Sequence, residues 1–213
     1  MSFGNILIFG DSYSTFKDMI PEGYAWYYPP TIEGRPKLTS PEETWWNLLL
    51  KETNSTLLLN DSWSGSTIGY TGYDGADNSK TSSFICRLNK MIDRGFFEEN
   101  RVDTILVFGG TNDDWADAPI GNTKYRDIKE KDLYSALPAV CFFAEKLKKC
   151  APNARIAFII NSELKYEITT GIMRACRHYG LEYVLLSKID KKSGHPTVKG
   201  MKQIKNQILR KLK

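Results

Sequence analysis

Only two histidines, His178 and His195, occur in the 213 residues, so a histidine general base has few places to sit. A candidate for it to activate stands near the start of the chain, in Asn5-Ile-Leu-Ile-Phe9-Gly10-Asp11-Ser12. The uninterrupted apolar run Ile6 to Phe9 predicts a strand buried on both faces. Glycine then lets the backbone turn sharply, and Asp and Ser suit the hand-over from strand to loop. Ligands of open parallel α/β sheets bind just beyond the carboxyl ends of strands, which makes Ser12 a candidate nucleophile. A neutral hydroxyl needs an adjacent base to attack a carbonyl. His195 follows the last strand-like run and precedes Pro196 and a final helix, which places it at the same rim. His178 lies just before Gly180 at a helix end, where a polar or cationic residue is expected on structural grounds alone.

Two further polar stretches follow apolar runs: Asp61 to Gly75, rich in Gly and Ser, after Thr56–Asn60, and Gly109-Gly110-Thr111-Asn112-Asp113-Asp114 after Thr104–Phe108. A glycine amide and an asparagine side chain can both donate to a developing oxyanion without carrying charge. Each such preorganised donor is worth roughly 10²–10³ in kcat. Other chemistries lack their residues. A P-loop ending at Lys80 would need glycines where Ser79 and Asp74 stand, and there is no G-x-G-x-x-G, so no nucleotide cofactor is implied. Without H-E-x-x-H or C-x-x-C, no metal site is implied either.

Gly10-Asp11-Ser12, Gly65, Gly110-Thr111-Asn112-Asp113 and His195-Pro196, in this order and each at a predicted strand end, resemble the four blocks of the SGNH (GDSL-type) hydrolases. The G-x-S-x-G elbow of the α/β-hydrolases is absent. The resemblance implies Ser12 as nucleophile and His195 as base. It also implies an oxyanion hole of the Ser12 and Gly65 amides and the Asn112 side chain. One block departs from the pattern: the family usually has Asp three residues before the His, and this chain has Lys192 there. The nearest acid is Asp190, which would orient the imidazole if the loop bulges; otherwise a backbone carbonyl would do so, leaving a Ser-His dyad.

The elements that must hold these residues alternate. Strands are expected at 6–9, 56–60, 104–108, 154–160 and 182–186. Helices are expected from Ser40-Pro41-Glu42-Glu43 (a capping residue, Pro at the first position, acids in the first turn) to about Thr53, and over 82–94, 129–149, 163–179 and the final segment from Val198 to Leu212. The pattern predicts a three-layer α/β/α sandwich on a five-stranded parallel sheet, the flavodoxin-like fold of the SGNH hydrolases, as a single domain over 1–213. Trp45 and Trp46 read as core anchors. The long loop 17–42, with five prolines around Trp26, Tyr27 and Tyr28, would either wall the site or pin itself to the body.

Composition (41% hydrophobic, 25% charged) is that of an ordinary globular protein. The charge of +4 gathers in the last helix without interleaved aromatics, so no nucleic-acid partner is expected, and no run approaches the roughly 18 apolar residues of a membrane span. A strand this close to Met1 leaves no room for a signal peptide, and Cys86, Cys141, Cys150 and Cys176 form no disulfide pattern, so a cytoplasmic protein is expected. The reading that results is a serine esterase acting through an acyl-enzyme on a small-molecule ester, such as an O-acetylated sugar. Asp11, Tyr70, Tyr73 and Trp115 are expected to contact substrate. A thioesterase or lysophospholipase with a greasy acyl channel, and a carbohydrate-binding protein with an incompetent triad, are the alternatives.

Overall fold

The computed structural model describes residues 2–213. Strands β1 (Asn5–Gly10), β2 (Thr56–Ser62), β3 (Thr104–Phe108), β4 (Arg155–Ile160) and β5 (Glu182–Leu185) form one parallel sheet in the order β2-β1-β3-β4-β5. Between them lie α1 (Trp45–Thr53), α2 (Phe84–Asp93), α3 (Phe96–Glu99), α4 (Thr111–Trp115), α5 (Ala136–Cys150) and α6 (Tyr166–Tyr179). After β5, a two-residue hairpin pairs β6 (Lys191–Lys192) with β7 (His195–Pro196), and α7 (Val198–Leu212) follows. The strand order reverses direction at β1 and β3, the place where such sheets open a crevice for ligands.

β1 is central because its side chains alternate between two cores. Leu7 and Phe9 pack with Phe84 of α2, Phe143 of α5 and Ile172 of α6 on one face. Ile6 and Ile8 pack with Trp45 and Trp46 of α1 and Ile204 and Ile208 of α7 on the other. Both faces are thus covered by helices, which is what an apolar, non-alternating strand sequence requires. At the end of β1 a side chain on Gly10 would lie 2.3 Å from Ser62 Oγ and 2.6 Å from Ser14 Cβ, so only glycine lets the turn pass this close to β2. The two tryptophans secure that turn: Trp45 donates to Ser14 Oγ at 3.2 Å and Trp46 to the Ser14 carbonyl at 2.9 Å.

Element boundaries differ from the sequence reading where polar residues are recruited by pairing. β2 runs on through Asp61 and Ser62 because they pair with Phe9 and Gly10. The helix expected from 129 begins as a short tight turn, Glu130–Tyr134, and becomes α-helical only at Ala136; Pro138 fits there because the first turn needs no N–H from it. The helix expected from 163 starts at Tyr166. Within the polar stretch Gly109 to Asp114, Thr111 opens the short helix α4, with Gly110 at φ +92° as the residue before it.

Arg87 ties the strand ends together from α2. Fully buried, it donates to Asp61 Oδ2 at 2.5 Å, to the carbonyls of Asp61, Gly10 (3.3 Å) and Ser82 (2.9 Å), and to Ser66 Oγ at 3.2 Å. Every donor of the guanidinium fork finds oxygen, so the charge is compensated within the fold. Arg87→Ala would leave Asp61 buried without a counter-ion, and urea unfolding should show a loss of about 3–5 kcal/mol; a loss under about 1 kcal/mol would contradict this role.

Candidate active site

Ser12 sits in a tight turn just past β1. The Ser14 amide donates to the Asp11 carbonyl at 3.0 Å, the Tyr13 amide to Asp11 Oδ1 at 3.0 Å, and Thr15 Oγ1 to the Ser12 carbonyl at 3.1 Å. His195 faces it from β7, with Nε2 2.9 Å from Ser12 Oγ. The other ring nitrogen, Nδ1, lies 3.1 Å from the Ser193 carbonyl. A carbonyl only accepts, so Nδ1 carries the proton and Nε2 offers its lone pair to the Ser12 hydroxyl. This is the geometry of an activated nucleophile.

The carbonyl reaches Nδ1 because β6 and β7 are joined by two left-handed residues, Ser193 (φ +49°) and Gly194 (φ +76°). The hairpin is fastened to the body: Tyr13 OH donates to the Gly194 carbonyl and Tyr28 OH to the Pro196 carbonyl at 2.8 Å. Asp190 makes no hydrogen bond to the imidazole, whose nitrogens contact the Ser193 carbonyl and Ser12 Oγ. Its carboxylate accepts from Thr197 Oγ1, its own amide donates to Gln203 Oε1 at 2.7 Å, and its carbonyl accepts from the Thr197 amide at 3.1 Å, so it organises the start of α7. Lys192 is exposed.

The imidazole is packed among aromatic rings. Tyr27 stacks flat on it, centroids 3.6 Å apart at 6°; Trp115 meets it edge-on at 5.7 Å and Tyr13 lies at 5.3 Å. Arg35 in turn lies over Tyr27, 4.6 Å from the ring centroid. Burial disfavours the imidazolium, and the Arg35 and Lys191 charges add to this against the opposing Ser193 hydrogen bond, lowering His195 to about 4. The long loop 17–42 therefore does both things that its aromatics suggested: Tyr28 is buried and pins it, while Tyr27 covers the base.

Of the expected oxyanion donors, Gly65 lies in the loop after β2 and Asn112 bonds to that loop. Among the described residues, the Ser12 and Gly65 amides have no protein acceptor, and Gly65 takes φ +80°, which favours glycine. Asn112, buried in the first turn of α4, donates Nδ2 to the Ser66 carbonyl at 2.9 Å. Next to it, Asp113 accepts from the Ile68 (2.9 Å) and Gly69 (3.1 Å) amides, locking α4 to the Gly65 loop; burial raises its carboxyl to about 6.

The four expected substrate contacts divide. Asp11 is fully enclosed, so it cannot touch substrate; it holds the Tyr13 amide, its Oδ2 has no hydrogen-bond partner, and burial pushes its carboxyl up to about 7. Tyr70 also lies in the core, packed edge-on against Tyr134 at 5.4 Å, because its loop is drawn inward by the bond from its amide to the Leu133 carbonyl. Tyr73 and Trp115 remain open to solvent, at 42% and 40% exposure, and Tyr73 OH donates to Asn112 Oδ1 at 2.7 Å. Tyr27, Tyr13, Arg35 and the Ser193 carbonyl are additions that no motif marked. His178 stacks on Tyr125 at 3.9 Å, away from this constellation. Among the described residues no group of three or more His, Cys, Asp and Glu is placed to hold a metal ion, and no helix is long and apolar enough to cross a membrane.

Comparison with known proteins bears on this geometry. The family model for GDSL-like lipase/acylhydrolase matches residues 4–212. The chain is similar to a candidate GDSL-like lipase from Bacteroides ovatus, with 40% identity, TM-score 0.89, and coverage of 99% of this chain and 98% of that one. A candidate GDSL-like lipase from Bacteroides uniformis shares 42% identity at TM-score 0.89, over 97% of this chain and 94% of that one. An acetyl xylan esterase from Butyrivibrio proteoclasticus shares the fold at 17% identity and TM-score 0.65, over 100% of this chain and 64% of that one. No match is found among the curated proteins.

The protonation of His195 is directly measurable. Its imidazole should stay neutral as pH falls through 6.5 and protonate near 4, followed by NMR of the ring nitrogens; a midpoint at 6–7 would contradict the cage described above. An unfolded chain would bind that proton below its ordinary 6.5, so this group's contribution to stability should decline as pH falls from 6.5 to about 4 and then level off.

Proposed function

The chain belongs to the GDSL-like lipase/acylhydrolase family and is a carboxylic ester hydrolase, and we propose that it works as a serine esterase through an acyl-enzyme on Ser12. The observation that carries the proposal is the 2.9 Å contact of His195 Nε2 with Ser12 Oγ, with Nδ1 held in the productive tautomer by the Ser193 carbonyl. Ser12 Oγ attacks the ester carbonyl carbon while its proton passes to His195 Nε2. The oxyanion is received by the Ser12 and Gly65 amides and the Asn112 side chain. The carbon–oxygen bond to the alcohol then breaks, and His195 returns its proton to that oxygen. Water then attacks the acyl carbon while its proton passes to His195 Nε2; the bond from that carbon to Ser12 Oγ breaks, Oγ takes the proton back from His195, and the acid leaves.

A Ser-His-Asp triad uses its acid to fix the tautomer and to stabilise the imidazolium. In one serine protease, exchanging that Asp for Asn costs about 10⁴ in kcat, through the wrong tautomer. The Ser193 carbonyl performs the tautomer task with a group that cannot be protonated at any working pH. This supports reading the Lys192 departure as compatible with catalysis. Burial and the Arg35 and Lys191 charges keep His195 neutral, the state in which it can take the Ser12 proton.

The substrate reading is a short acyl group, acetyl foremost, on a polar alcohol such as a sugar, within one catalytic domain. Two aromatic rings, Tyr73 and Trp115, stand open to solvent beside Asn112 and His195, and flat exposed rings of this kind stack on sugar faces. The fold shared with an acetyl xylan esterase points the same way. A cavity of about 520 Å³, lined by Tyr24, Leu59, Met91 and Phe96 among others, includes neither Ser12 nor His195, so it offers no acyl channel to the nucleophile.

Hydrolysis of p-nitrophenyl acetate should fall by at least about 10³-fold in Ser12→Ala, and turnover that survives would refute the mechanism. The octanoyl ester should be slower by about 100-fold or more; equal rates would favour the thioesterase or lysophospholipase reading. Asp190→Asn should keep kcat/KM within about threefold, whereas a loss of about 10³ or more would show that Asp190 completes a triad.

A further inference from the structure

Asn112 has one acceptor and two donors on its side chain, and the structure accounts for two of the three. Nδ2 gives one N–H to the Ser66 carbonyl at 2.9 Å, and Oδ1 receives the Tyr73 hydroxyl at 2.7 Å. Rotating the amide by half a turn would set Oδ1 against the Ser66 carbonyl, two acceptors facing each other, so the orientation follows from the network. The second N–H of Nδ2 is the one left for a substrate oxygen. We infer that Tyr73, through its hydroxyl, is the positioning residue of this oxyanion donor, holding the Asn112 amide plane from its oxygen side while the face of its ring stays open. The inference rests on the esterase reading and deepens it.

Tyr73 is itself held by a compact turn. Thr71 and Asp77 bridge across it, the Gly72 amide donates to the Ala76 carbonyl and the Asn78 amide to the Tyr70 carbonyl, both at 2.7 Å. Its base is tied to the segment before α5: Thr71 Oγ1 donates to the Tyr134 carbonyl at 2.8 Å, and Tyr134 OH to Asp77 Oδ2 at 3.1 Å. The hydroxyl therefore arrives at Asn112 from a braced support, although the ring is 42% exposed. Burial of the hydroxyl end, with the Asp11 and Asp113 carboxyls nearby, raises its ionisation to about 12 and keeps it a donor.

The chemical consequence is specific to the transition state. When Nδ2–H meets a developing oxyanion, the amide polarises and Oδ1 gains negative charge, which strengthens the Tyr73 bond. Hydrogen bonds in such a chain reinforce one another. Removing the hydroxyl would leave Oδ1 buried without its donor and let the amide plane rotate away from the productive direction. A group that acts in this way lowers kcat and leaves substrate affinity almost untouched.

The test is a double-mutant cycle on p-nitrophenyl acetate with Tyr73→Phe, Asn112→Ala and both together, alongside Ser12→Ala. Tyr73→Phe should lower kcat by about tenfold with KM within about twofold, and should cost nothing further in the Asn112→Ala background. An unchanged kcat, a rise confined to KM, or losses that multiply in the double variant would overturn the inference. A second readout needs no turnover: the Asn112 side-chain NH₂ signals, one proton of which is held by the Ser66 carbonyl, should exchange with water at least about tenfold faster and move in chemical shift in Tyr73→Phe. Signals identical in the two proteins would overturn the inference as well. Turnover that survives Ser12→Ala would instead bring down the esterase reading, while the NMR comparison would still decide whether Tyr73 holds Asn112.

Discussion

The contact from His195 Nδ1 to the Ser193 carbonyl decides which ring nitrogen carries the proton, and with it whether Ser12 has a base. A side-chain acid could swing, titrate or be replaced by water. A carbonyl in a two-residue hairpin turn can do none of these. Its aim depends on the left-handed backbone of Ser193 and Gly194, which in turn depends on Tyr13 and Tyr28 gripping the hairpin on both sides of His195. Tyr13 follows Ser12, the proposed nucleophile, so the same short segment presents Ser12 and fastens the loop that carries His195. The cost of this arrangement is electrostatic. No anion stabilises the imidazolium, two cations oppose it, and stacked Tyr27 keeps water from one face.

Beneath the reacting groups the fold has placed buried charge as a frame. Asp113 bonds the Ile68 and Gly69 amides, Asp11 bonds the Tyr13 amide, and Arg87 clamps the ends of β1 and β2 to Ser66. Asp11 and Asp113 each adjoin an expected site residue, Ser12 and Asn112, and Arg87 bonds Ser66, the neighbour of Gly65. Backbone amides are fixed donors only when the turns that present them cannot relax, and a carboxylate accepting two of them is a strong restraint. The enclosed acids thus fix the turns that carry the proposed oxyanion donors. Their placement at the β1–β3 switch point follows from the sheet order, since the chain leaves both strands there in opposite directions.

The sheet and the four site blocks were legible in the sequence because each rests on local signals. Apolar runs ending in Gly mark strand ends, and Ser12, Asn112 and His195 are side chains with distinctive chemistry at those ends. The helix end at Gly180 followed from its residue type, whereas Ser40-Pro41 opens only the short 3-10 turn Pro41–Glu43, and α1 starts at Trp45 because Thr44 is extended and caps it anew. What was not legible depends on partners far away in sequence. The Ser193 carbonyl is a backbone group, which no residue letter encodes. Tyr27 became the cover of the base only because loop 17–42 folds back across His195. Asp11 and Tyr70 looked available for substrate because Asp and Tyr are often exposed, yet neighbouring amides drew both inward. Asp190 was close to His195 in sequence, but the hairpin turned it toward Thr197 and α7.

The central claim is that Ser12 is made nucleophilic by a neutral His195 without help from an acid. The most direct measurement is mass spectrometry of the intact protein after reaction with an organophosphonate that labels activated serines, with peptide mapping of the adduct. One adduct per chain on Ser12, retained in Asp190→Asn and lost in His195→Ala, is the result the account predicts. An adduct on another residue, or labelling of Ser12 that persists without His195 or disappears with Asp190→Asn, would contradict it.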